Sequence, residues 1–241
     1  MLFIPLKTIK NTLEETGRYW IVFTGDSLTS CEWVHPNWRD IIIYVLRNSL
    51  SDLGADEAWW GVKGFNLGYD GANTKDIVEK LPDILLVKPQ LLVGLMGGND
   101  PVLGVSPEES VKNISSIDDT VVNSGAEVVW ASSTPAGKDS KKNVEYLPYS
   151  EALLKLQTKE HFHKIDMFNI YQRFDNAKFF TFISEEIPAE GIKQGDRDLQ
   201  HPNQLGNAYI AKVVLKETFG IEFDPEKYIS GTVEGLKYPQ Y

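Results

Sequence analysis

Apolar runs of strand length alternate along this chain with longer segments of helical period. YWIVFTGDS (19–27) begins as a buried strand and ends in a turn. PNWRDIIIYVLRNSLSDL (36–53) has the spacing of a helix, with Pro36 near its start. WWGVKGFNLG (59–68) reads as a second, Gly-rich strand. TKDIVEKLPDILLV (74–87) predicts a helix capped by Thr74 and bent or divided at Pro82. PQLLVGLMGGND (89–100) is a third strand running into a Gly turn. SPEESVKNISSIDDTVVNSG (106–125) predicts a helix with Ser106 as cap, Pro107 at its first position and Gly125 as stop. AEVVWASSTP (126–135) is a fourth strand, YSEALLKLQTKEHF (149–162) a helix and HKIDMF (163–168) a short fifth strand. PNQLGNAYIAKVVLKETFG (202–220) is the last helix.

Strands apolar on both faces and separated by helices predict a mainly parallel sheet of about five strands, covered on both sides in a three-layer α/β/α sandwich. Ligands bind such sheets at the carboxyl ends of the strands. One domain over 1–241 is expected, with its core over about 18–220. Segment 175–197 has no clear period and reads either as a substrate-shaping insert or as a surface excursion. The tail 221–241 is aperiodic and receives no element.

Composition changes this picture little. Hydrophobic residues make up 42% and charged residues 24% of 241, an ordinary globular balance. The formal net charge of -10 disfavours nucleic acid and anionic membrane surfaces as partners and fits a neutral substrate. A single cysteine, Cys31, rules out an intramolecular disulfide and a Cys-rich zinc site. The opening MLFIPLKTIKNTLEE is too short in its apolar part for a signal-peptide core. No run approaches the roughly 18 apolar residues of a membrane span. A cytoplasmic location is therefore the default expectation, with secretion after removal of a leader left open.

Chemistry gathers at the ends of the predicted elements. Gly25-Asp26-Ser27-Leu28 closes the first strand and turns a serine toward the crevice above the sheet. Asn66-Leu67-Gly68-Tyr69-Asp70-Gly71 follows the second strand, and Gly97-Gly98-Asn99-Asp100 the third. Asp198-Leu199-Gln200-His201-Pro202 precedes the last helix. Each motif alone is common in turns. Four of them converging on one edge of one sheet are hard to explain as packing.

In these four blocks, over residues 25–202, the chain resembles the SGNH hydrolases, also called GDSL esterases and lipases. The resemblance implies Ser27 as nucleophile, His201 as general base and Asp198 as the carboxylate that orients it. It also implies an oxyanion hole made by the Ser27 N–H, the Gly71 N–H and the Asn99 side-chain amide, with Gly68 as the competing glycine. It implies neither metal nor organic cofactor. The chemistry agrees with these roles. A serine hydroxyl is a weak nucleophile until a base takes its proton, and histidine suits that task. Pre-aimed donors stabilise the charge that develops on the attacked oxygen.

Competing residues read more simply. His35, beside Trp33 and Trp38, suits packing or the surface. His161 and His163 lack a third metal ligand. Asp26 and Asp100 suit hydrogen bonding within their turns. Trp33, Trp38, Trp59, Trp60 and Trp130 read first as packing residues, with Trp33 nearest to Ser27 in sequence. The spacing Gly64-x-x-x-Gly68-x-x-Gly71 is not a dinucleotide loop, and Ser27 lacks the Gly-x-Ser-x-Gly elbow. The expected substrate is a short acyl ester, an O-acetyl group on a carbohydrate. The alternatives are a lipase or thioesterase on longer chains and a non-catalytic binding protein that keeps the fold.

Overall fold

The computed structural model describes residues 4–96, 98–157, 159–186 and 192–241. Five parallel strands form one sheet in the order β2-β1-β3-β4-β5. They are β1 (Tyr19–Gly25), β2 (Val62–Gly68), β3 (Leu91–Leu95), β4 (Glu127–Ala131) and β5 (Phe162–Ile165). The order doubles back beside β1, because β2 lies on one side of it and β3 on the other. That arrangement opens a crevice at the carboxyl end of β1.

Side chains alternate across the strands and feed two cores. Ile21, Phe23, Leu91, Val93, Leu95, Val129 and Ile165 face one side. There they meet helices α1 (Leu6–Thr16) and α3 (Trp38–Ser51) and, further along the chain, α10 (Met167–Tyr171) and α11 (Gln204–Val214). Val22, Leu92, Val128, Trp130 and Phe162 face the other side. They meet α5 (Thr74–Glu79), α6 (Leu81–Val87), α8 (Pro107–Asn123) and α9 (Lys142–Lys155). The sandwich has the three layers that the two-sided apolar strands imply. Each fully buried Leu, Ile or Phe contributes about 1.5–3 kcal/mol to it.

Several boundaries differ from the sequence reading, each for a local reason. Asn37 caps α3, accepting from the Asp40 N–H at 3.1 Å, so the helix starts after Pro36. Asn73, not Thr74, caps α5, and Asp76 returns the bond to the Asn73 N–H in a capping box. Pro82 does divide the segment into α5 and α6. Trp59 and Trp60 belong to a short helix, α4 (Ala58–Gly61), and β2 begins only at Val62. Asn66, Leu67 and Gly68 are therefore inside β2, and the turn proper is Tyr69-Asp70-Gly71. Helix α9 starts at Lys142 and runs through Pro148. The spacing alone predicts a helix after that proline, over 149–162. Strand β5 correspondingly starts at Phe162.

Both ends of the chain contribute more than periodicity suggests. Helix α1 buries Ile9 and Leu13, and α12 (Pro225–Val233) buries Tyr228, all in the first core. Ser106 caps α8 at the Glu109 N–H, and Gly125 ends it with φ of 93°, as predicted. Segment 175–197 is partly internal. Phe179 and Phe180 are buried in the first core, and Ile183 bridges Arg197. Residues 187–191 of that segment, like Gly97, lie outside the described residues.

Gly25 ends β1 at φ of 148°, and a Cβ there would stand 1.8 Å from the Leu95 carbonyl oxygen. Gly125 also has positive φ, but a Cβ there meets nothing within 4 Å. Gly125→Ala is expected to cost about 1–2 kcal/mol for its backbone conformation. Gly25→Ala adds an overlap with backbone worth about 1–3 kcal/mol more. Urea unfolding of the two variants checks this, with Gly25→Ala the clearly less stable of the pair.

Candidate active site

Ser27 opens a four-residue helix, α2 (Ser27–Ser30), directly at the end of β1. Asp26 caps that helix, accepting from the Leu28 N–H at 3.0 Å, so its carboxylate is spent on the turn as the sequence suggested. The Thr29 hydroxyl donates to the Leu95 carbonyl at 2.9 Å, and the Trp38 indole N–H donates to the Leu28 carbonyl at 2.8 Å. A buried neighbour thus holds each side of the serine, while Ser27 itself stays partly exposed.

The loop before α11 carries the other two groups. Its backbone is tied down on both flanks. The Asp198 N–H donates to the Phe182 carbonyl at 2.9 Å, and the Asn203 N–H donates to the Phe179 carbonyl at 2.7 Å. The Asn207 amide donates to the Pro202 carbonyl at 2.9 Å, and its oxygen accepts from the Trp38 N–H at 3.2 Å. Phe179 and Phe182 belong to the aperiodic segment. The described part of that segment frames this loop.

Within the loop, one oxygen of Asp198 accepts the backbone N–H groups of Gln200 at 2.8 Å and His201 at 3.0 Å. The other oxygen lies 2.7 Å from His201 Nδ1. A carboxylate can only accept, so Nδ1 carries the proton. In the neutral ring Nε2 is then the acceptor, and the Ser27 hydroxyl donates to it at 2.9 Å. Ser27, His201 and Asp198 stand in one hydrogen-bonded row, although 174 residues separate Ser27 from His201.

Electrostatics follow from this row. Burial works against ionising either partner of the pair. It is outweighed at Asp198 by the hydrogen bond and charge of His201 and by the two backbone N–H groups, which hold the carboxyl below its usual range. It is outweighed at His201 by the hydrogen bond and charge of Asp198, with Asp26 and Asp70 adding to it, so the imidazole sits above the ordinary histidine value.

Ser27, Asn99 and His201 line a cleft of about 20 Å³. Asn99 begins a short helix, α7 (Asn99–Val102), and one of its amide hydrogens goes to the Ala72 carbonyl at 3.0 Å. Gly71 precedes Ala72 in an exposed turn with φ of 74° and is not among the residues lining the cleft. The neighbouring N–H groups of this turn are committed: Gly68 to the Asn66 side chain at 3.0 Å, Tyr69 to the Gly25 carbonyl at 2.9 Å, Ala72 to the Tyr69 carbonyl at 3.1 Å. Asp70 accepts from the Ser30 hydroxyl. Asp100 reaches beyond its own turn, holding the Thr74 N–H at 2.8 Å and the Thr74 hydroxyl at 3.1 Å, with burial pushing its carboxyl upward.

The other histidines lie elsewhere. His35 is exposed near Asp40, His161 pairs with Glu127 at 3.0 Å, and His163 sits on β5. Among the described residues no group of three or more His, Cys, Asp or Glu is arranged to hold a metal ion, and no helix is long and apolar enough to cross a membrane. Trp33 is half exposed and stands edge-on to the His201 ring, with centroids 5.7 Å apart. Tyr146 and Gln200 also line the cleft, joined by a 3.1 Å hydrogen bond. Gln200 lay in plain view inside the Asp198–His201 motif. Tyr146 carries no local signal, because periodicity predicts its helix only from Tyr149 onward.

Solved structures of similar shape include an acetylxylan esterase from Geobacillus stearothermophilus, with a TM-score of 0.61 and 15% identity over 86% of this chain and 95% of that one. A lipase/acylhydrolase from Enterococcus faecalis matches with a TM-score of 0.59 and 18% identity over 83% and 94% of the two chains. An α/β hydrolase from the metagenome of Lake Arreo, Spain, matches with a TM-score of 0.62 and 15% identity over 83% and 94%. At these identities the likeness speaks for the fold alone. No curated protein matches in sequence. The model of the GDSL-like lipase/acylhydrolase family matches residues 23–209, a span that takes in the serine turn, the Asn99 turn and the Asp198–His201 loop. The chain belongs to that family and is a carboxylic ester hydrolase.

Proposed function

We propose that this esterase removes short acyl groups, O-acetyl above all, from a carbohydrate, through an acyl-enzyme on Ser27. The observation that carries the mechanism is the row Ser27–His201–Asp198, with contacts of 2.9 and 2.7 Å. Ser27 Oγ attacks the ester carbonyl while its proton passes to His201 Nε2. The alcohol leaves with that proton, and Ser27 keeps the acyl group. A water molecule, deprotonated by the same nitrogen, then releases the acid and restores the serine. Asp198 fixes the ring's tautomer and balances the charge of the imidazolium.

The oxyanion donors in this reading are the Ser27 N–H, the Gly71 N–H and the Asn99 amide. Asn99 has a second amide hydrogen besides the one given to Ala72. Gly68 has its N–H bonded to Asn66, which leaves Gly71 as the glycine of this reading, although it does not line the cleft. Such a donor typically contributes about 2.7–4 kcal/mol to lowering the barrier.

The size of the cleft, about 20 Å³, supports a short acyl group. A cavity needs roughly 10–15 Å³ to admit one water, so this space has room for a methyl group. The carbohydrate reading draws on Trp33, whose half-exposed indole offers an apolar surface beside the base. The acetylxylan esterase among the similar structures lends it further support.

A ladder of p-nitrophenyl esters from acetate to octanoate tests the substrate class. Turnover is expected to fall steeply with chain length and to vanish in Ser27→Ala. Faster hydrolysis of octanoate would point to a lipase instead. The base must be neutral to accept a proton, so kcat/KM should rise with pH through a midpoint above 6.5, the ordinary histidine value. Asp198→Asn removes a charge that raises this midpoint. It should move the midpoint to lower pH and reduce the plateau kcat on the order of 10⁴-fold. A wild-type profile flat from about pH 5 to 8 contradicts His201 as base.

A further inference from the structure

We propose that Tyr146 sets the upper limit on acyl length by separating the cleft from an adjoining apolar cavity, which is an acyl-chain subsite held shut. The inference rests on Ser27 being the nucleophile, since it concerns what lies beside that serine. The adjoining cavity has about 40 Å³, twice the room of the cleft. Met96, Ile114, Trp130 and Leu153 line it but do not line the cleft. Ser27 and His201 line the cleft but not the cavity. Gly98, Asn99, Ser133 and Tyr146 line both. These four residues form the shared wall.

Only one of the four brings a large side chain to that wall. Gly98 has none. Asn99 is tied to the Ala72 carbonyl, and the Ser133 hydroxyl donates to the Thr134 carbonyl at 2.7 Å. The Tyr146 ring lies so close to Gly98 that a Cβ at position 98 would stand 2.2 Å from it. At its far end the phenol donates to Gln200 Oε1 at 3.1 Å, in the loop that carries Asp198 and His201. The ring is thus held against Gly98 and bonded to the loop that carries His201. The cavity is not uniformly apolar: the buried Asp100 carboxylate, which is bonded to Thr74, and the hydroxyls of Ser110, Ser132, Tyr149 and Ser150 also line it. Four large apolar side chains still dominate it, and an alkyl chain gains by burial there.

The test measures kcat/KM on p-nitrophenyl acetate and octanoate for the wild type and four variants, counting only the rate that Ser27→Ala abolishes. Tyr146→Ala should raise the octanoate-to-acetate ratio about tenfold or more, chiefly through a lower KM for octanoate. Tyr146→Val should give a smaller rise and serves should the alanine variant fold poorly. Tyr146→Phe keeps the ring and should keep the wild-type ratio. Leu153→Ala enlarges the cavity without touching the wall and should also keep it. An unchanged ratio in both truncations overturns the proposal. So does an equal rise in Leu153→Ala, which would mean general loosening. Activity that survives Ser27→Ala would instead overturn the nucleophile, and the ratio test keeps the two failures apart.

Discussion

At the carboxyl edge of the sheet Gly25 stands in register with Gly68 on one side and Leu95 on the other. The backbone of β1 approaches the Leu95 carbonyl so closely that no side chain fits at position 25. That same carbonyl accepts the Thr29 hydroxyl from the first turn of α2. One oxygen of β3 therefore fixes both the end of the strand and the start of the helix that carries Ser27. The serine sits between these two contacts, so its position is set by the sheet and not by a loop. The partners arriving from a remote part of the chain meet a fixed target, which is what the proposed catalytic role of the row requires.

Charge around the base has a definite sense. The protein carries a formal net charge of -10, and three carboxylates, Asp198, Asp26 and Asp70, act on His201 in the same direction. They favour the imidazolium. In the mechanism we propose, that helps once the ring has taken the serine proton and hinders at low pH, where the ring is already charged. Asp198 answers part of its own burial by spending one oxygen on two backbone N–H groups and the other on Nδ1. The backbone bonds keep the carboxylate ionised and aimed whether or not the ring is charged.

The sheet and the reactive row could be read from the sequence because both are local signals. Strands apolar on both faces announce a parallel sheet, and Ser27, Asp198 and His201 each sit in a short motif at a strand end or a helix start. Elements that depend on long-range packing were harder to read. Helix α9 runs through Pro148, which the local rule takes for a boundary, so the predicted helix omits Tyr146. Trp59 and Trp60 look like strand residues yet form a helical turn. The terminal helices α1 and α12 follow from cores that other elements build. Segment 175–197 lacks period because Phe179 and Phe180 fill gaps in the first core and the Phe182 carbonyl holds Asp198. Such contacts leave no regular trace in the chain.

The most direct test of the central claim, that Ser27 is activated by His201, is labelling with a fluorophosphonate followed by peptide mass spectrometry. One adduct per chain is expected, on Ser27, formed rapidly in the wild type and far more slowly in His201→Ala. An adduct on another serine, or equal labelling rates in the two proteins, would contradict it.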